Sequence, residues 1–412
     1  MRALPVLVAV LLTAGCATAP ASTRPADGVI RVPRDAGTIQ AAVDAARDGD
    51  TVLVAPGVYR ETVQIKTPNL VLRGEKRGGT VVDGEVRRAN GVVVTASGVT
   101  VENLTVRNHT LNGVLVTGLS DERGGIARGS SGYQRLDPAK SPPLNGFRVS
   151  YVTASNNGLY GIYAFDAQHG VIEHSYASGS ADSGFYVGQC KPCHVRVRGN
   201  VAERNAVGYE GTNASGDMVV VGNRFVGNRV GLTSNSDYQE AFVPQEDAEI
   251  VGNLVANNAE PLSPAQADGA FGIGIGIAGG TRNQVARNRI VGNPVAGLVL
   301  GSSEDLAPLR NEIVGNTITG NGLDVGYSAS ARAPGVDNCL RDNEVGTPVP
   351  ACLTGVGTPL VRPKAPRGLP FPEVAAPPAQ PEMPSTPLPP VDLATVVVPG
   401  PDLLADRAAV AL

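Results

Sequence analysis

Val219-Val220-Val221-Gly222-Asn223-Arg224-Phe225-Val226-Gly227-Asn228-Arg229-Val230-Gly231-Leu232-Thr233 is a set of short apolar runs separated by two Gly-Asn pairs. The same phrase returns with Asn200 and Asn205, Asn253 and Asn258, Asn288 and Asn293, and Asn316 and Asn321, at one spacing within each pair. It is already present at Asn103 and Asn108, and it persists with substituted residues around Tyr151/Asn156 and His174/Gly179. A fixed frame that recurs about every twenty-odd residues is the signature of a solenoid. The runs are too short for helices and rich in Val and Ile, so they read as strands. Asn and Gly stand where the chain must turn through positive φ. Three strands and three turns make one triangular coil. Stacked coils pair each strand with its copies above and below, giving three parallel sheets with the Asn side chains in ladders. About eleven coils at roughly 4.8 Å each predict a rod roughly 50 Å long.

This pattern resembles the right-handed parallel β-helix proteins, the pectate-lyase-like superfamily and the NosD-type repeat families among them. The resemblance covers residues 38–352 and implies an all-β fold. It leaves the function open, because this fold hosts lyases, hydrolases, epimerases and proteins without a known activity. The domains expected are a signal segment (1–16), a tether (17–30), the β-helix (31–352) and a Pro-rich, extended or disordered tail (353–412).

Net charge is −4 and the pI about 5.7, which argues against nucleic acid as the main partner. Four His and three Met are few for a metal-handling protein, and no metal site or cofactor is expected. The chain is read as a monomer.

Arg2 followed by the apolar run 4–12 forms a targeting segment too short to span a bilayer. It ends Leu12-Thr13-Ala14-Gly15-Cys16, which looks like a bacterial lipobox. That resemblance implies cleavage before Cys16, a lipid on its thiol and an extracytoplasmic protein anchored to the membrane. The alternative is ordinary cleavage after Ala17-Thr18-Ala19 and secretion, which leaves Pro20 first.

Residues 38–46 form the one helical phrase near the start. Thr38 is placed to cap it, and Ile39, Ala42, Val43 and Ala46 share a face. It resembles the short amphipathic helix that covers the open first coil of many secreted β-helix proteins, where exposed core and strand edges need a lid.

The strands after the second Asn of each frame align Ile162, Phe185, Tyr209, Leu232 and Leu298 inward by period-two alternation. Tyr163, Tyr186, Glu210 and Thr233 then form an outer row, with Asp166, Gln189, Asn213 and Ser236 at one later position. Four long excursions, 119–144, 190–193, 236–247 and 302–310, leave the frame at the corner after this strand, and 260–271 leaves at the other end. Together they would wall a groove. Flat rings beside fixed polar groups suit a sugar polymer, so Tyr163, Tyr186, Gln189, Asn213, Asn235 and Asp237 are the expected substrate-binding residues. Glu210 and Asp166 are the expected acid–base pair, since two carboxyls flanking one bond perform glycoside chemistry. The same row also reads as an ordinary solvated sheet face, and the missing Trp weakens the sugar reading.

The Asp-Pro-His-Asp motif of alginate epimerases is absent from the sequence, so no catalytic residue is carried over from those relatives. Cys190-Lys191-Pro192-Cys193 has no thioredoxin-like context and lacks a second metal half-site. Disulfides Cys190–Cys193 and Cys339–Cys352 are expected in an exported chain. Three functions remain open: an enzyme acting on a polysaccharide as lyase, hydrolase or epimerase; a non-catalytic surface binding or scaffold protein; and a NosD-like accessory to a metalloenzyme.

Overall fold

The computed structural model describes residues 25–119, 142–265, 268–386 and 388–412. Three sheets of 13, 11 and 10 strands, called A, B and C, run the length of a parallel solenoid. Each coil passes from sheet A to B to C and returns. One full coil is Val195–Arg198, Val201–Glu203 and Val207–Ala214. Its strands pair in parallel with Met218–Val221, Arg224–Val226 and Val230–Asn235 of the next coil. The inward row Ile162, Phe185, Tyr209, Leu232 and Leu298 is fully buried as expected, with Ile275 between the last two.

The Asn pairs form two ladders at the corners. At the A–B corner the amide of Asn200 donates to Asn223 (3.0 Å), Asn223 to Asn253 (2.9 Å), and Asn253 to Asn288 (2.9 Å). At the B–C corner Asn205, Asn228, Asn258, Asn293 and Asn321 repeat the arrangement. Each side chain also takes a backbone N–H and caps a carbonyl one coil away; Asn223 accepts from Asn200 N–H and donates to Val197 O. No polar atom of these amides is buried without a partner, the condition under which such groups stabilise a core. Gly222 and Gly227, at φ +63° and +65°, turn the chain into the two corners. A third ladder, Gln245–Asn283–Asn311–Asn338, stands at the C–A corner and was not anticipated.

The helix Ile39–Ala45 covers the first coil, with Thr38 Oγ1 accepting from Ala41 N–H and Ile39, Ala42 and Val43 buried. The first strand is Val29–Val32, so the solenoid begins inside the segment read as tether. At the far end Cys352–Gly355 pairs antiparallel with Gly335–Arg341. The Cys339–Cys352 disulfide joins these strands, and the Cys190–Cys193 disulfide is present too. Among the described residues no helix is long and apolar enough to cross a membrane.

The Pro-rich tail carries the short helical turns Phe371–Glu373, Leu393–Thr395 and Ala405–Arg407 and docks along the rod. Leu393 and Val396 cover Val219, Val221 and Val251 on sheet A. Leu403 and Val410 cover Val226, Leu254 and Ala256 on sheet B. Arginines fasten it in both directions: Arg224 of the solenoid donates to Pro401 O, Leu403 O and Val410 O of the tail, and Arg407 of the tail donates to Gly199 O and Ser175 O of the solenoid.

Candidate functional site

Sheet C carries the chemistry the sequence singled out. Tyr163, Tyr186, Glu210 and Thr233 are consecutive partners across four strands and point outward. The row is less open than expected. Tyr163 and Tyr186 are 5% and 3% exposed, so they form a floor rather than a free stacking platform. Their rings pack with Leu115, Leu119 and Phe165. Tyr160, half-buried at the B–C corner, stacks on Tyr163 at 4.3 Å between centroids and lies 4.9 Å from Tyr186. It is the accessible ring of the group. Its place one turn before the strand took it out of the alternating pattern and out of the sequence reading.

The polar residues at the later position sit in the C–A corner. Asp166, Gln189 and Asn213 adopt φ of 54°, 52° and 44°, the left-handed conformation of a turn. Gln189 and Asn213 are buried and organise the 236–247 excursion rather than a ligand surface. Gln189 Oε1 accepts from Ala241 N–H, and Asn213 donates to Asp237 O and Glu240 O while accepting from Asp237 N–H. Tyr238 of this excursion donates to Asp305, which ties it to the 302–310 excursion. All four long excursions do leave between sheets C and A, and 260–271 leaves between B and C. Most of the 119–144 excursion lies outside the described residues, as does Cys16.

Asp166 and Glu210 are not brought together. Asp166 lies three residues beyond the register of Glu210 and two coils away, about 14 Å along the sheet surface. Asp166 Oδ1 accepts from Gln189, and its Oδ2 is buried without a hydrogen-bond partner among the described residues. Burial raises its pKa to about 6.

The carboxyl that faces Glu210 is Asp182, at the head of the preceding sheet C strand. Ser183 Oγ lies 2.6 Å from Glu210 Oε2 and 3.3 Å from Asp182 Oδ1. One hydroxyl has one hydrogen, so it donates to one carboxylate, and the other contact is favourable only when that carboxyl carries a proton. Burial, then the charge of Asp182, lifts Glu210 to about 7, and burial raises Asp182. Thr212 donates to the other oxygen of Glu210. Glu210, at about 7, lies in the range that suits general acid–base work.

Glu240 reaches back from the 236–247 excursion over the aromatic floor, where Tyr186 Oη donates to its Oε1. Its Oε2 is buried without a partner among the described residues. Burial and the neighbouring charge of Glu210 hold its pKa well above the ordinary carboxylate value. Asn235 and Asp237 are half-buried at the rim. Among the described residues no cluster of three or more His, Cys, Asp or Glu is placed to hold a metal ion.

The right handed beta helix region family matches residues 90–240 and 143–318, which together span more than half of the 412 residues. No protein of curated function gives a significant match. Among solved structures, the A-module of Azotobacter vinelandii mannuronan C-5 epimerase AlgE6 superposes with a TM-score of 0.52 at 16% identity, over 76% of this chain and 91% of that one. The A-module of A. vinelandii mannuronan C-5 epimerase AlgE4 gives 0.48 at 17% identity, over 74% and 90%. Identities this low speak to the fold alone.

Proposed function

Because the chain belongs to the right-handed β-helix family, its activity lies in what is grafted onto the rod, and we propose that it binds a polysaccharide across the outer face of sheet C and modifies it there. The observation that carries this reading is the Ser183-bridged pair Asp182–Glu210 beside the rings of Tyr160, Tyr163 and Tyr186. A carboxyl raised to about 7, as Glu210 is, is fit to pass a proton to a glycosidic oxygen or take one from a sugar carbon. A sheet face several coils long suits a polymer, and the fold neighbour named as a mannuronan C-5 epimerase acts on one. In this proposal Glu210 is the acid–base residue with Asp182, not Asp166, beside it. Tyr160, Asn235 and Asp237 meet the polymer, and Tyr163 and Tyr186 support them from beneath.

The tail covers parts of the outer faces of sheets A and B, and its Leu360 packs on Ile273, Ala296 and Val299 of sheet C, two to three coils beyond Glu210. The disulfides fit an oxidising compartment. In the proposal the rod stands outside the cytoplasmic membrane on a lipid attached to Cys16. A panel of polysaccharides screened for both binding and product release tests the reading. Glu210→Gln is expected to bind polymer and release no product. A Glu210→Gln protein with full turnover would remove Glu210 from the chemistry, and a panel without any ligand would remove the polysaccharide reading itself.

A further inference from the structure

The polysaccharide reading leaves the charge of the polymer open, and the inference below rests on that reading. We infer that sheet C takes a polysaccharide bearing free amino groups, held as ammonium ions between the carboxyls of Glu210, Asp237 and Glu240 and the ring of Tyr160. Three independent features of the structure converge on this.

The first is the distribution of fixed charge. The ten strands of sheet C contain no Lys and no Arg. The strand-borne arginines stand on sheet A, Arg73, Arg148, Arg196 and Arg198 among them, and on sheet B, as Arg107, Arg224 and Arg289. Those on sheet A are matched by Glu102, Glu173 and Asp217. No ion pair among the described residues involves Glu210, Asp237 or Glu240. A uronate polymer laid on this face would meet carboxylates with no strand-borne cation to hold it.

The second is an unfilled hydrogen-bonding position. Glu240 is 6% exposed, and while Oε1 accepts from Tyr186, Oε2 is buried with no donor among the described residues. A buried carboxyl oxygen without a donor is costly, and a charged donor relieves it most. Asn213 holds the backbone of both Asp237 and Glu240 against the strand that carries Glu210, so the three carboxyls are fixed relative to one another. Burial first, and then the neighbouring acids, raise the pKa of Glu210 and Glu240, so an ammonium entering between them at pH 6 releases their protons to solvent as it binds. A metal ion is the poorer occupant, because the described carboxyls do not form a group of three with metal-ligand placement.

The third is the ring surface. Tyr160 is half-buried and locked by stacking on Tyr163. An ammonium over such a face gains from the ring quadrupole, which repels an anion.

Calorimetry of the purified protein at pH 6 and low ionic strength tests this, with three probes: a β-1,4-linked glucosamine hexamer, its fully N-acetylated counterpart and a mannuronate hexamer. The glucosamine hexamer is expected to bind at least about tenfold tighter than the other two and to weaken as salt is raised. Glu240→Gln and the rim variant Asp237→Asn are each expected to weaken it about tenfold, with thermal melts showing that both variants fold. Tighter binding of the mannuronate or N-acetylated hexamer, weakened by Tyr160→Ala, overturns the charge assignment and leaves the polysaccharide reading standing. Glucosamine binding untouched by either carboxyl variant marks non-specific attraction to an acidic protein and also overturns it. Absence of binding by all three probes overturns the charge assignment and leaves the polysaccharide reading to the wider panel.

Discussion

Asp166→Asn should make this protein more stable at neutral pH. Asp166 is 1% exposed, its Oδ2 has no hydrogen-bond partner among the described residues, and burial raises its pKa from 3.8 to about 6. The sign follows from which state holds the proton. Below about pH 3 the carboxyl is neutral in both folded and unfolded chains and carries no charge penalty. Between about pH 4 and 6 the unfolded chain ionises first, so stability falls as pH rises. Above pH 6 the penalty is constant, about 3 kcal/mol for a shift of about two units. Asn keeps an oxygen for the Gln189 contact and tolerates the left-handed turn at φ 54°. Urea denaturation of both proteins at pH 3.8 and pH 7.5 isolates the effect, because the other raised carboxyls, Glu210 among them, are common to both. The variant is expected to gain up to about 3 kcal/mol at pH 7.5 and no more than about 0.4 kcal/mol at pH 3.8. An equal difference at both pH values, or a loss at neutral pH, would refute the burial argument and point to an unseen partner for Oδ2.

Further outcomes follow from the same structure. Asn223→Ala removes the acceptor of Asn200 N–H and Nδ2 and the donor to Val197 O and Asn253 Oδ1, all buried. Chemical denaturation should show a loss of about 3–5 kcal/mol, since several buried groups are left unpaired at once. Arg407→Ala cuts the tail's hold on Gly199 O and Ser175 O. Limited proteolysis should then clip the last thirty or so residues at least about tenfold faster while the solenoid stays intact. Cys16→Ala should move the protein from the membrane to the soluble fraction on cell fractionation.

Much of the fold was legible because the solenoid writes each structural requirement once per coil. Asn223 and Asn253 had to be buried amides at corners, since nothing else explains one polar residue recurring amid Val and Ile, and their 2.9 Å contact follows from stacking. The third ladder was not legible, because insertions of unequal length break the spacing between Gln245, Asn283 and Asn311. The docked tail was hidden for a different reason. Its partners are arginines that bind backbone carbonyls, and a carbonyl leaves no mark on the sequence. In the site, Glu210 and the two ladder tyrosines were found by register. Asp182 and Tyr160 were missed because they stand at the head of their strands, outside the alternation. Glu240 was visible only as a loop acid, and its approach to Tyr186 spans 54 residues of sequence. The burial of Tyr163 and Tyr186 depends on neighbours such as Tyr160 and Leu119 that period-two counting does not place.

Hydrogen–deuterium exchange with and without a bound oligosaccharide tests the central claim, that sheet C is the working face, most directly. Protection is expected in Ile162–Phe165, Ser183–Cys190, Val207–Ala214 and the 236–247 excursion, with the strands of sheets A and B in the same coils unchanged. Protection confined to Val195–Arg198 and Met218–Val221 of sheet A, or to the tail along sheet B, would contradict it.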